Sequence, residues 1–310
     1  MINWFPGHMH KARKEIAEVM PQVDVIIEVI DARIPFSSEN PLVPSLRGNT
    51  PLIKLLNKAD LADPETTQIW IEKMEQDSGV KAIAVSQERP DQIRALLALC
   101  ESMVPEKLKS IHPARAMIMG IPNVGKSTII NTLAGRTIAK TGNEAGITKS
   151  QQKIKLANNV LLTDTPGFLW PKLTPPSCGY RLAITGAIKE TVFDYVDIAF
   201  FAASYLLQYY PDRIKDRYKL EMLPDNDQEI IEAIGQKRGC ASKGGRIDLQ
   251  KASTLFINEL RAGLLGSITW ETPEMTENEV RIAKEEDLKK AQEKEERDRE
   301  RKLKTKKNRR

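Results

Sequence analysis

The sequence predicts an α/β fold, with a doubly wound and mostly parallel sheet, followed by an all-α region and a charged tail. Three observations predict it. An apolar run at 116–119 leads into Gly120-Ile121-Pro122-Asn123-Val124-Gly125-Lys126-Ser127, and residues 128–134 have helical spacing, so this stretch reads strand, glycine loop, helix. Earlier apolar runs at 23–30, 51–56 and 81–85 read as buried strands, each ending in polar loop residues. From residue 180 to residue 265 the apolar spacing is helical.

Length and composition bound the reading. At 310 residues the chain is long enough for two domains with a core each. Hydrophobic residues at 41% and charged residues at 29% are those of a globular protein, and no run approaches the roughly 20 apolar residues of a membrane span. The first eight residues resemble neither a secretory nor an organellar presequence. Cys100, Cys178 and Cys240 form no C-x-x-C pair, which argues for a reducing cytoplasm and against a disulfide framework or a zinc site. From Thr276 onward 14 Lys+Arg face 10 Asp+Glu, so most of the net +5 sits in the tail.

In chain order, Trp4-Phe5-Pro6-Gly7-His8-Met9 packs aromatics, a Pro-Gly turn and a histidine into six residues, and a helix over 11–20 ends at Pro21. The strand at 23–30 closes on Asp31-Ala32-Arg33, and residues 34–44, rich in Pro, Ser and Asn, read as a loop. The strand at 51–56 delivers Asn57-Lys58-Ala59-Asp60, a guanine reader. Asp60 can accept hydrogen bonds from N1–H and the 2-amino group, donors that adenine lacks. Asn57 would support the base edge, and the Lys58 stem would lie over the base. The strand at 81–85 ends in Ser86-Gln87, whose backbone N–H groups are candidates for guanine O6, and an amphipathic helix follows over 91–104.

In the glycine loop, the Asn123, Val124, Gly125, Lys126, Ser127 and Thr128 segment would cradle phosphate oxygens with backbone N–H groups at a helix N-terminus. Lys126 would reach the β- and γ-phosphates, and the Ser127 hydroxyl would bind Mg²⁺. Thr148, in a glycine-containing loop, suits closure over Mg²⁺ and the γ-phosphate, with an ordinary loop threonine as the alternative. A hairpin over 151–162 then delivers Asp164-Thr165-Pro166-Gly167. There Asp164 would hold Mg²⁺ through water, and the Gly167 N–H would sense the γ-phosphate. The order is base reader, phosphate loop, switches, whereas small GTPases run phosphate loop, switches, base reader. The order is that of a circular permutation.

Beyond Pro175-Pro176, helices are expected at 181–189, 192–208, 212–218, 225–234 and 248–263. A loop at 236–246 carries four cations that could hold phosphate backbones, with a solvated loop as the alternative. Phe201, Tyr209, Tyr210 and Tyr218 read as helix packing. The tail reads as a solvated helix fading into a basic end, suited to nucleic acid or simply to solubility. The expected domains are 1–172, 173–275 and the tail 276–310.

These residues resemble the RbgA/YlqF family, ribosome biogenesis GTPase A, a circularly permuted P-loop GTPase family. The resemblance covers roughly 3–275. It rests on the Trp4–Met9 opening, Asp31-Ala32-Arg33-Ile34-Pro35 with Asn40-Pro41, Asn57–Asp60, Gly120–Ser127, Asp164–Gly167 and Arg261-Ala262-Gly263-Leu264-Leu265-Gly266. It implies GTP hydrolysis to GDP coupled to late assembly of the large ribosomal subunit, with a helical RNA-binding C-terminal domain. The chain is then expected to be a cytoplasmic monomer. Phe168 stands where Ras-like enzymes carry the water-orienting glutamine. The family suggests His8 as the substitute, brought in when RNA is bound, and packing beside Trp4 and Phe5 is the alternative. Asn123 resembles the loop asparagine of potassium-stimulated GTPases, which implies a K⁺ ion between the β- and γ-phosphates. Rival readings are a GTP-dependent ribosome-binding scaffold, a small-subunit assembly GTPase, and an ATPase or small-molecule kinase, which Asn57–Asp60 disfavours.

Overall fold

The computed structural model describes residues 16–108, 112–139, 152–157, 159–167, 169–170, 172–241 and 244–307. Six strands form one sheet in the order β3-β2-β1-β4-β6-β5, with β1 Val25–Asp31, β2 Leu52–Asn57, β3 Val80–Ala84, β4 Ala114–Gly120, β5 Gln152–Lys155 and β6 Val160–Asp164. All neighbouring pairs are parallel except the β5–β6 hairpin. β1, β2 and β4 carry near-continuous apolar sequence because both faces of the sheet are covered. Five parallel strands therefore end at one edge, where Asp31, Asn57, Gly120 and Asp164 emerge from adjacent strands. Ligands of open α/β sheets bind along this kind of edge.

Two local expectations are corrected. The 34–44 segment is not a plain loop but carries the short helices Pro35–Ser38 and Val43–Arg47. Each has a proline in its first turn, where the missing N–H costs nothing, and the Ser38 hydroxyl bonds back to Ile34 O at 2.6 Å. The helix Pro64–Met74 is not among the sequence-predicted elements, although Asp63 caps it by accepting Thr66 N–H at 2.8 Å and Pro64 follows directly.

The C-terminal helices are Ser177–Ile184, Tyr195–Tyr209, Pro211–Tyr218, Asp227–Lys237 and Leu249–Arg261. They share a continuous apolar core with the sheet region, from Ile27 and Ile118 to Phe256 and Trp270. After them the chain returns to the sheet region: Ile268 N–H donates to Leu61 O, Trp270 N–H to Arg33 O, and the Trp70 indole N–H to Glu271 O. The last helix, Pro273–Lys307, begins against this seam, and from 283 to 298 it is mostly exposed. Tyr218 is buried and Tyr210 hydrogen-bonds Thr269 O, as packing residues do, whereas Tyr209 remains 46% exposed.

Glu28 lies fully buried at the centre of β1. It accepts Asn40 N–H at 2.7 Å through one oxygen, while the other has no partner among the described residues. Burial, then repulsion from Glu39, pushes its carboxyl up to about 8, against the opposing pull of Lys54 and the Asn40 N–H. A folded pKa above the unfolded one means that folding takes up a proton. The contribution is complete below the ordinary 4.5 and is lost as pH rises through about 8. Glu28→Gln should therefore melt at a higher temperature than wild type above that upper pH, with the advantage vanishing below the lower one. Thermal unfolding across the range checks this.

Candidate functional site

At the carboxyl edge of the sheet the separate motifs meet. β4 ends at Gly120, where a side chain would collide with Val29 O at 2.5 Å. The loop then turns through left-handed Asn123 (φ 58°) and Gly125 (φ 96°) into the helix Lys126–Ala134. A Cβ on Gly125 would strike the Asn57 side-chain nitrogen and lie 2.8 Å from Gln87 Nε2, so this glycine lets the loop sit against the guanine reader. On the other side, a Cβ on Gly167 would come within 3.1 Å of Pro122 N, which seats the Asp-x-x-Gly glycine on the loop backbone.

Side-chain bonds stitch these parts together. Asn57, fully buried, donates from Nδ2 to Val124 O at 2.7 Å. Lys58, itself left-handed (φ 61°), donates to Asn123 O at 3.0 Å and to Asp31 Oδ2 at 2.9 Å. Burial pulls the Lys58 ammonium below the ordinary lysine range, with Asp31 resisting. Lys126, 6% exposed, is paired with Asp164 at 2.9 Å, so the phosphate-loop lysine and the switch aspartate are in contact. Ser127 and Thr128 occupy the first turn of the helix, and Asp60 stands exposed beyond β2. Sequence reasoning offered the Ser86 N–H to the guanine O6. Here it donates instead to Gln92 Oε1 at 3.2 Å, in the first turn of the following helix, while the Gln87 side chain lies exposed beside the loop.

The Asn123 side chain faces the helical region, donating from Nδ2 to Gly186 O at 2.9 Å. Its neighbours complete a shared cap on the helix Ser177–Ile184. Arg33 donates to Thr185 O at 3.3 Å, and Arg261 donates to Ile184 O at 3.1 Å and to Ala183 O at 2.9 Å. A helix C-terminus leaves carbonyls unpaired and carries partial negative charge, so two cations and an amide suit it. The three donors come from the phosphate loop, the end of β1 and the last helix of the bundle. Sequence reasoning missed this joint. It also assigned Asp31 and Arg33 no role at the site, although Asp31 pairs across the sheet with Asn57 and so abuts the guanine reader.

His8, Thr148 and Phe168 lie outside the described residues. In the 236–246 loop, Arg238 is held by Glu259 at 3.1 Å and lies over the Tyr218 ring at 5.3 Å, which turns one of the four cations toward the bundle.

A family model described as "50S ribosome-binding GTPase" matches residues 115–233. The chain is 45% identical over 281 residues to a ribosome biogenesis GTPase A of Bacillus cereus, covering 88% of this chain and 95% of that one. It is 32% identical to a ribosome biogenesis GTPase A of Thermotoga maritima, again covering 88% and 95%. A GDP-bound structure of TM YlqF superposes with a TM-score of 0.61 at 30% identity, covering 84% of this chain and 99% of that one. GNP-bound YlqF from T. maritima gives 0.60 at 29% identity, covering 86% and 99%.

Proposed function

The chain belongs to the ribosome biogenesis GTPase A family and is a GTPase of ribosome assembly. We propose that it acts late in maturation of the large (50S) subunit, and that the particle stimulates its turnover. One observation supports the site assignment: Asn57 and Lys58 bond directly to the backbone of Val124 and Asn123, so base reader and phosphate loop are joined as one unit.

Within that unit Asp60 selects guanine, the Lys58 stem walls the base, and Gln87 borders its edge. The Val124–Thr128 backbone and Lys126 hold the phosphates. Ser127 and Asp164, a hydroxyl and a carboxylate beside one another's elements, are the oxygen donors a hard divalent cation prefers, and Thr148 joins them on closure. When bound, Mg²⁺ would supply charge neutralisation to the phosphates. K⁺ is proposed at Asn123, whose amide already takes part in holding Gly186. Gly167 senses the γ-phosphate, and the Asn123–Gly186 bond offers a second route from the phosphate loop to the helices. His8 supplies the water-orienting group that Phe168 does not.

Turnover of labelled GTP with and without purified 50S particles tests the reading. An unchanged rate, or stimulation by 30S particles instead, overturns it. His8→Ala should abolish the stimulated increment and leave basal turnover intact. Asp60→Asn should weaken GDP binding by about 10²–10⁴-fold, since two hydrogen bonds to a charged acceptor are worth roughly 3–6 kcal/mol. The same variant should bind a xanthine nucleotide, whose C2 carbonyl accepts the new amide N–H. Among the described residues no helix is long and apolar enough to cross a membrane. The proposed setting is the cytoplasm, with the chain as a monomer on the subunit.

A further inference from the structure

Asp31 ends β1, is 2% exposed, and has no part in the roles above. Every bond its carboxylate makes goes to the base reader's Lys58 or to neighbouring Arg33. Oδ2 accepts Lys58 Nζ at 2.9 Å and Arg33 Nη2 at 2.8 Å, and Oδ1 accepts Arg33 Nε at 2.9 Å and Arg33 N–H at 3.1 Å. The Arg33 fork thus locks the carboxylate on one side and leaves Oδ2 turned to Lys58. Burial alone would raise the Asp31 carboxyl, but the two cations outweigh it and hold the group well below the usual carboxylate range.

We propose that Asp31 is a positioning residue for guanine-nucleotide binding. It fixes the Lys58 ammonium so that the lysine stem stands as a preformed wall of the base site. Two features support a built anchor over an incidental pair. Lys58 holds a left-handed backbone that a non-glycine residue adopts at a cost, and the Asp31 and Asn123 acceptors oppose that cost. Strand register also places Asp31 beside Asn57, one residue before Lys58, so the anchor is set by the sheet and not by a loop. A long flexible stem loses rotamer freedom when a base settles on it, and a tether that removes the freedom beforehand strengthens binding. The inference rests on the assignment of Lys58 to the base site.

The test is titration of a fluorescent GDP into the full chain and its variants, with thermal unfolding alongside. Asp31→Asn should raise the GDP Kd about ten-fold. It should raise KM for GTP likewise while leaving kcat within about two-fold, a split that general destabilisation would not produce. In a Lys58→Met background, where no ammonium remains to hold, Asp31→Asn should change Kd less than about two-fold. Wild-type affinity in the single variant, or the same factor in both backgrounds, overturns the inference. If Asp31→Asn does not fold, NMR relaxation of isotope-labelled lysine in the wild-type chain decides. The Lys58 side chain should be far more restrained than surface lysines before nucleotide is added, and a surface-like value overturns the inference. Asp60→Asn is the control: if it too leaves GDP affinity unchanged, the base-site assignment itself falls.

Discussion

Lys126→Ala should reduce single-turnover GTP hydrolysis by at least about 100-fold, the scale of losing one preorganised charge stabiliser at a transferring phosphoryl group. Lys126 enters the first turn of its helix with its ammonium buried at 6% exposure, so its charge works where water screens little. Its partner here is Asp164 at 2.9 Å, the residue assigned to the metal. The bond has two consequences for the variant. Removing Lys126 leaves Asp164, 1% exposed, without its cation, so the nucleotide-free protein should also melt at a lower temperature. Added Mg²⁺ and GDP should recover part of that loss, because ligands that bind only the folded state stabilise it. Lys126→Arg should not restore turnover, since a planar fork cannot replace a point charge in a cradle shaped for an ammonium. Quenched-flow phosphate release measures the rate, and activity within three-fold of wild type would contradict the assignment.

The second large effect is on stability. Arg181→Met should cost about 3–5 kcal/mol, the range for breaking a buried ion pair from one side. The Arg181 guanidinium, 1% exposed, bonds Glu279 through two nitrogens at 2.7 and 2.8 Å and Trp270 O at 2.9 Å, and lies 3.5 Å from Glu271. Glu271 is fully buried and also accepts Ser37 N–H at 2.8 Å and the Ser37 hydroxyl at 2.5 Å. One cation thus joins the helical bundle, the last helix and the short Pro35–Ser38 helix beside the sheet. Burial raises the Glu271 carboxyl, with Arg181 and the Ser37 bonds opposing it. Most of the cost of Arg181→Met is therefore a stranded carboxylate. Arg181→Met with Glu271→Gln should recover much of the loss, and denaturant titration of both variants checks the sign. If the double variant is as unstable as the sum of the two singles, the seam is held by packing and not by charge.

Much of the molecule was legible in the sequence because it depends on local rules. The strand–loop–helix around Gly120–Ser127 needs only an apolar run, glycines at left-handed positions and helical spacing. All of these are visible in residues a few places apart. Asn57–Asp60 and Asp164–Gly167 are short and sit directly at strand ends, so their chemistry travels with their spelling. The Pro64–Met74 helix was missed despite its Asp-Pro start, because its apolar positions are few: of its eleven residues only Thr67, Trp70 and Met74 are buried. The partner of the Ser86 amide was illegible for a different reason. Gln92, six residues on, takes that N–H, and no spacing rule announces a glutamine folding back on its own helix start.

Fold class, motif order and hence the permutation, and the residue types that a guanine nucleotide requires could all be read from the order of amino acids. How the parts are fastened emerges from the folded chain. Arg33, Asn123 and Arg261 stand far apart along the chain, yet all three cap the carbonyls at the end of the Ser177–Ile184 helix. Arg181 likewise finds Glu271 and Glu279 some 90 to 98 residues away. The difference is one of range. Helix spacing, turns and loop chemistry are settled among neighbours in the chain. The partner of a buried charge is settled by which surfaces the whole fold brings together, and a lone arginine or asparagine in a sequence carries no mark of where its partner lies.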